Sequence, residues 1–414
     1  MTTHVRQIMS LGLLSMLLLS SCSAPSSQTN APSSQNPSPS TSSSQTSQAP
    51  GTADREEPTP APSQQPTLRQ QAEELADQLS TEQQAASLVM AGVSATGAGS
   101  SELKAMKKQG LSNVFLRGRS HLSIKQTAVE VAAITKALKS NVPDDLPVWV
   151  ATDQEGGFVR VLQGDGFTKL PTASKQGQWP EDKLSSAIKQ VGEELTDAGI
   201  NLNLAPVADV VPAKVGTGNA PIGYFGREYG ATSGEVSTAI TTVNDALNDA
   251  GVQPVVKHFP GLGRVAKNTD VSSGVTDTVI GIDASDLEPF KQAIAQDNSW
   301  VMISNARYTK IDATNDAPFS SKLISGLLRN ELGYQGVVIS DDLCEAKQVA
   351  QTPVGQRAIK FVAAGGTVPL CVKSGKAITM VQALGKEAKA NPKFAKQVRA
   401  AATLVLEAKL RQRS

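Results

Sequence analysis

Short apolar runs recur along the chain, separated by longer segments in which apolar residues return every three or four positions. The runs are ASLVMAG (86–92), SNVFLR (112–117), PVWVAT (147–152), NLNLAPVAD (201–209), QPVVKHF (253–259), SWVMIS (299–304), GVVISDD (336–342) and TVPLCV (367–372). The segments between them, such as EDKLSSAIKQVGEELTDAG (181–199) and SSKLISGLLRNELG (320–333), read as amphipathic helices. Ahead of the first run, Ser80 and Thr81 are each followed three residues later by a glutamine, Gln83 and Gln84, the pattern of a capping box at a helix start. Strands alternating with helices call for a parallel sheet. Eight repeats within 67–414 predict an α/β chain closed into a (β/α)₈ TIM barrel. The competing arrangement is an open doubly wound sheet. Against it, ASLVMAGVSATGAG around the first run is a poor match to a glycine-rich dinucleotide fingerprint.

The N-terminus breaks this rhythm. In MTTHVRQIMSLGLLSMLLLSSC, Arg6 precedes an apolar stretch from Ile8 to Leu19, and small residues follow. The stretch is too short to cross a bilayer comfortably and predicts an export signal over 1–21. Leu19-Ser20-Ser21-Cys22 resembles a bacterial lipobox, which would make Cys22 the lipidated first residue of the mature chain. An ordinary secretory signal that happens to precede a cysteine is the other reading. Residues 22–66 are nearly all Ser, Pro, Gln, Thr and Ala after the cysteine, with too little apolar surface to offset the entropy of ordering, and read as a disordered tether. The expectation is an exported protein held to the outer face of a bacterial cell membrane by its lipid alone. In that setting Cys344 and Cys371 either pair or remain as two buried thiols.

Charge narrows the partners. Lys and Arg number 39 against 38 Asp and Glu, a net charge of +1 with no basic stripe, which argues against nucleic acid and suits a neutral small-molecule ligand. Catalytic groups of a TIM barrel sit at the C-terminal ends of its strands. Taken in order, those ends carry Asp153-Gln154-Glu155, Asp209, Lys257-His258, Ser304-Asn305 and Asp341-Asp342. Of the three histidines, His4, His121 and His258, one lies at a strand end, so no histidine metal centre is expected, and no cofactor motif is present.

DQEGG (153–157), INLNLAPVADV (200–210), FGREYG (225–230), KHFPGLG (257–263) and GVVISDDL (336–343) occur in one order at sensible spacings. Together they resemble family 3 of the glycoside hydrolases, specifically its single-domain β-N-acetylglucosaminidases, over residues 67–412. The resemblance implies exo-acting hydrolysis of terminal β-N-acetylglucosaminides, such as cell-wall peptidoglycan fragments, by a retaining mechanism. Such chemistry needs a carboxylate beneath the anomeric carbon and a proton donor above the leaving oxygen. The nucleophile maps to Asp341, and Asp342 reads as a capping or supporting residue, since neighbouring strand residues face opposite ways. Asp153, Arg227, Lys257 and His258 map to sugar contacts. No cofactor is implied, the partner is a glycan containing N-acetylglucosamine, and a single barrel with no appended segment leaves a monomer as the default.

The sequence departs from the family pattern at three places. Where the family often has G-G-R-V-x-R-L, this chain has Gly156-Gly157-Phe158-Val159-Arg160-Val161-Leu162, so Arg160 either reaches the same sugar from a shifted loop or is solvated. Asn305 stands where a histidine is usual and is a further candidate sugar contact. Most consequentially, the loop after KHFPG lacks the family's acid/base histidine: Leu262 occupies one histidine position, and Asn268-Thr269-Asp270 overlies the Asp-x-His pair. Three readings follow. Asp270 replaces the histidine as acid/base, its pKa raised by desolvation or neighbouring carboxylates. Alternatively Glu155 or Asp277 serves, or activated substrates need little protonation. In the third, the domain is a tethered glycan- or muropeptide-binding lipoprotein that has lost catalysis.

Overall fold

The computed structural model describes residues 66–143 and 146–413. The expected signal 1–21, Cys22 and all but the last residue of the tether lie outside them. Eight strands form one sheet, here numbered β1 Met90–Ser94, β2 Asn113–Arg117, β3 Trp149–Thr152, β4 Leu202–Asn203, β5 Gln253–Phe259, β6 Trp300–Ile303, β7 Val338–Ser340 and β8 Leu370–Cys371. Each predicted run overlaps one of them. The strands pair in parallel in the order β7-β6-β5-β4-β3-β2-β1-β8. A further parallel bridge, Ile339 to Val368, brings β7 to the approach of β8 and closes the ring. Closure excludes the open doubly wound sheet.

Except for β5, the strands are shorter than the apolar runs. Residues 86–88 still belong to the helix Thr81–Leu88, and of 201–209 only Leu202 and Asn203 enter the ladder, with Val207 bridging Lys257 further along. In a barrel covered by helices both strand faces are buried, so residues flanking a strand are as apolar as those within it. Ser80 and Gln83 complete the expected capping box of helix Thr81–Leu88. Gln84 does something else: its side chain donates to Ala76 O and Leu79 O, tying that helix to the preceding one, Leu68–Gln78. The segment expected as helix at 320–333 winds wide, with i→i+5 bonds over Lys322–Glu331.

Cys344 and Cys371 form a disulfide, Cα atoms 5.1 Å apart, joining the segment after β7 to the end of β8. No helix among the described residues is long and apolar enough to cross a membrane.

Candidate active site

The C-terminal ends of the strands surround a cavity of about 380 Å³, a size suited to a small ligand. Asp153, Arg227, Lys257, His258, Asp270 and Asp341 all line it. A larger hollow of about 560 Å³ lies at the opposite end of the barrel, by the starts of β5 and β6, but gathers none of these groups. Convergent chemistry, rather than volume, marks the site.

Its floor is an ion-pair network. Lys257 Nζ lies 2.7 Å from both Asp153 Oδ1 and Glu155 Oε1. Arg227 grips the same Glu155 with Nε to Oε2 at 2.9 Å and Nη2 to Oε1 at 2.7 Å, and donates Nη1 to Pro221 O. Burial alone would raise the Glu155 carboxyl, but Arg227 and Lys257 outweigh it and hold it down at about 2. Burial would lower Lys257, yet Asp153 and Glu155 carry it above the ordinary lysine value. Glu155 is therefore a permanent anion that does not line the cavity, and it is removed as a candidate acid.

His258 is fixed from below. Asp209, fully buried, lies 2.7 Å from its Nδ1 and also accepts the backbone N–H groups of His258 and Leu262. An anionic partner favours the proton on Nδ1 and leaves Nε2 as the free ring nitrogen. Lys257 and His258 both line the cavity although neighbouring strand residues ordinarily face opposite ways; the peptide between them is cis.

Asp341 follows the end of β7 and donates its backbone N–H to Ile303 O of β6, while its Oδ1 accepts from Asp342 N at 2.7 Å. Burial pushes its carboxyl upward, with His258 pulling the other way. Asp342 caps the next turn: its oxygens accept from the backbone of Cys344, Glu345 and Val372.

Asp270 comes from the long loop after β5. Its residue surface stays open to solvent at the cavity mouth, while its carboxyl faces inward among the charged groups. Desolvation and then the Asp341 carboxylate push it up to about 6, against His258 and Arg227. The loop is held by the segment that follows Asp341. Lys347 N donates to Asp270 O and Gln348 N to Thr269 O. The buried Gln348 side chain accepts from Val275 N at 2.8 Å and donates to Val275 O and Asp316 Oδ1.

Three candidate residues lie outside the cavity lining. Asn305 does not reach the cavity; it is fully buried, and its Nδ2 donates to Asp342 O at 3.0 Å. Its short amide is turned onto the backbone beside Asp341 and is out of reach of a ligand. Arg160 does not line the catalytic cavity either. It sits in a short antiparallel hairpin, Gln154–Gly156 with Val159–Arg160, whose turn directs it to an adjoining hollow. Asp277 is likewise out of place as an acid, its Oδ1 accepting from Val279 N and Ile280 N away from the cavity.

The profile described as the glycosyl hydrolase family 3 N-terminal domain matches residues 80–408. The chain belongs to glycoside hydrolase family 3. A β-hexosaminidase from Xanthomonas oryzae pv. oryzae is 30% identical over 291 residues, 68% of this chain and 83% of that protein. One from Nitrosomonas eutropha is 33% identical over 239 residues, a match that spans 56% of this chain and 65% of the relative, just under two thirds of its length. Among solved structures, the β-N-acetylhexosaminidase from Beutenbergia cavernae superposes with a TM-score of 0.77 at 41% identity, covering 80% of this chain and 98% of that one. A family 3 β-N-acetylglucosaminidase from Paenibacillus sp. gives 0.72 at 28% identity, covering 81% and 64%.

Within this family 3 barrel, two functional layers escaped the sequence reading. Asp209 was visible as a strand-end acid, but its grip on His258 was not. Gln348 carried no signal at all, because its partners lie 73 and 32 residues away.

Proposed function

We propose that the protein is an exo-acting glycoside hydrolase that removes terminal β-linked N-acetylglucosamine residues with retention of configuration. One observation carries the reading: Asp341 and Asp270, two carboxyls on separate segments, line a single cavity floored by Asp153, Lys257, His258 and Arg227. The substrate is supported by the β-hexosaminidase relatives and the 41%-identical solved neighbour.

The division of labour follows from the surroundings. Asp341 is backed by His258, Lys257 and the Asp342 N–H, which favour its charged form, the one a nucleophile needs, against the upward push of burial. Asp270, raised towards neutrality, holds the proton for the leaving oxygen. Attack by Asp341 forms a glycosyl ester as Asp270 protonates the departing oxygen. Asp270, now ionised, then takes a proton from water as that water hydrolyses the ester. Loss of the Asp341 charge in the ester removes the second-largest upward influence on Asp270. That fits the change of role.

Cell-wall peptidoglycan fragments are the proposed natural source, met outside the cell by a monomer anchored through Cys22. The Cys344–Cys371 disulfide is compatible with an oxidising compartment.

The test compares an aryl β-N-acetylglucosaminide with N,N′-diacetylchitobiose, for the wild type and Asp341→Asn. The wild type hydrolyses both and releases β-N-acetylglucosamine first, as seen by NMR, while Asp341→Asn loses both activities. Binding of N-acetylglucosamine by the wild type without turnover of either substrate would overturn the assignment in favour of a sugar-binding protein.

A further inference from the structure

The catalytic cavity continues into a second hollow of about 400 Å³. The two share Phe115, Asp153 and Val159, so a ligand seated in the first can extend into the second. Three guanidinium groups line it, Arg117, Arg119 and Arg160. The sole carboxylate there, Asp153, is already paired with Lys257.

The arginines differ in their commitments. Arg119 is structural: Nη1 donates to Arg160 O at 3.0 Å and Nη2 to Phe158 O at 2.9 Å, clamping the 154–160 hairpin from its backbone side. The side chains of Arg117 and Arg160 have no hydrogen bond or ion pair among the described residues, and Arg117 Nε is buried without an acceptor. A buried N–H left unmet is costly, more so on a charged group. Burial, together with the neighbouring Arg119 charge, lowers the Arg160 pKa, as expected where like charges are crowded. Beside them Phe158 stands 61% exposed, its ring 5.9 Å from that of Phe225, which in turn meets the 65% exposed Tyr224. The hollow is therefore cationic, with the exposed Phe158 ring in its lining.

We propose that this hollow takes the leaving residue of the substrate and recognises a carboxylate carried on it, with Arg160 and Arg117 as the donors. The proposal rests on the glycosidase reading: an exo-acting site encloses one terminal sugar, so the remainder of the substrate lies on the leaving side. A neutral leaving sugar would leave Arg117 Nε and the Arg160 fork unmet. A carboxylate matches the planar guanidinium fork in two-point hydrogen bonding and relieves the repulsion between Arg160 and Arg119.

The experiment uses three substrates: β-1,4-linked N-acetylglucosaminyl-N-acetylmuramic acid, the methyl ester of its lactyl carboxylate, and N,N′-diacetylchitobiose. For the wild type, kcat/KM for the free acid exceeds that for the ester by about tenfold, the value of one modest charge-assisted contact. Added salt shrinks the ratio. In Arg160→Gln the acid-to-ester ratio falls towards one, and Arg160→Lys restores part of it. Since each protein is judged by a ratio of its own rates, a general loss of activity does not mimic the result. Calorimetric binding of acid and ester to Asp341→Asn gives the same comparison without turnover. If no substrate is hydrolysed yet the acid binds more tightly than the ester in an Arg160-dependent way, the glycosidase assignment falls and the anionic hollow stands. Equal handling of acid and ester by the wild type, or a preference untouched in both Arg160→Gln and Arg117→Gln, overturns the proposal.

Discussion

Replacing Asp270 with asparagine keeps the shape of the side chain and removes its proton. With the carboxyl at about 6, about nine-tenths of the molecules hold that proton at pH 5 and about one-tenth at pH 7. The protonated form is the active one, so kcat/KM for a disaccharide falls about tenfold across that interval in the wild type. A carboxyl at the ordinary value of 3.8 would place the same fall about two pH units lower. Asp270→Asn removes this limb and lowers disaccharide turnover by about 10²–10⁴-fold, the usual worth of a positioned acid. A dinitrophenyl glycoside needs no proton to leave, so its first step is nearly unaffected and hydrolysis of the glycosyl ester becomes slow. Azide, which attacks without losing a proton, then restores turnover and yields the β-glycosyl azide. Matched losses on both substrates would refute the assignment, as would a basic limb near pH 6 that persists in the variant or a failure of azide to rescue.

Two further outcomes follow from the supporting groups. Glu155→Gln leaves Arg227 without its buried partner and Lys257 with Asp153 alone, at a cost of about 3–5 kcal/mol in urea unfolding. Because the Glu155 pKa is depressed to about 2 from its ordinary value of 4.5, its contribution is complete above about pH 4.5 and is lost as pH falls towards 2. The variant should therefore lose less stability than the wild type between those values. Gln348→Ala removes a buried two-way link to Val275 and costs about 1–3 kcal/mol. Acting through the loop that carries Asp270, it lowers disaccharide turnover more than aryl-glycoside turnover, whereas a purely global loss would reduce both alike.

The barrel was legible because burial on both faces makes each strand a short apolar run, and Val338 to Ser340 or Trp149 to Thr152 could hardly be anything else. Strand ends were less so, since Ala86 to Leu88 and Ala205 to Ala208 are as apolar as the ladders they flank. Lys257, His258, Asp153 and Asp341 were readable because strand ends and motif order point to the same place. Asp270 emerged from motif register alone, and the charge environment that suits it to donate depends on Asp341, His258, Arg227 and Asp153, brought together from four separate strand ends and loops. That Arg160 and Asn305 lie outside the cavity was not legible, for one reason: sequence places a residue on a loop or at a strand end but does not give the direction of its side chain. The pairing of Cys344 with Cys371 was equally undecidable, since closure of the ring between β7 and β8 is what brings them together.

The clip between Lys347–Gln348 and Thr269–Asp270 makes the stretch from Asp341 to Lys347 a spacer of fixed length between the two carboxyls. Separation of the paired carboxyls decides whether an enzyme of this type retains or inverts the anomeric centre, because inversion needs room for a water between sugar and base. The reach of the donor is thus written into a chain length. Residues inserted after Asp342 would carry Asp270 away from the leaving oxygen while Asp341 stayed beneath the sugar, and disaccharide turnover would fall with the first product still the β anomer.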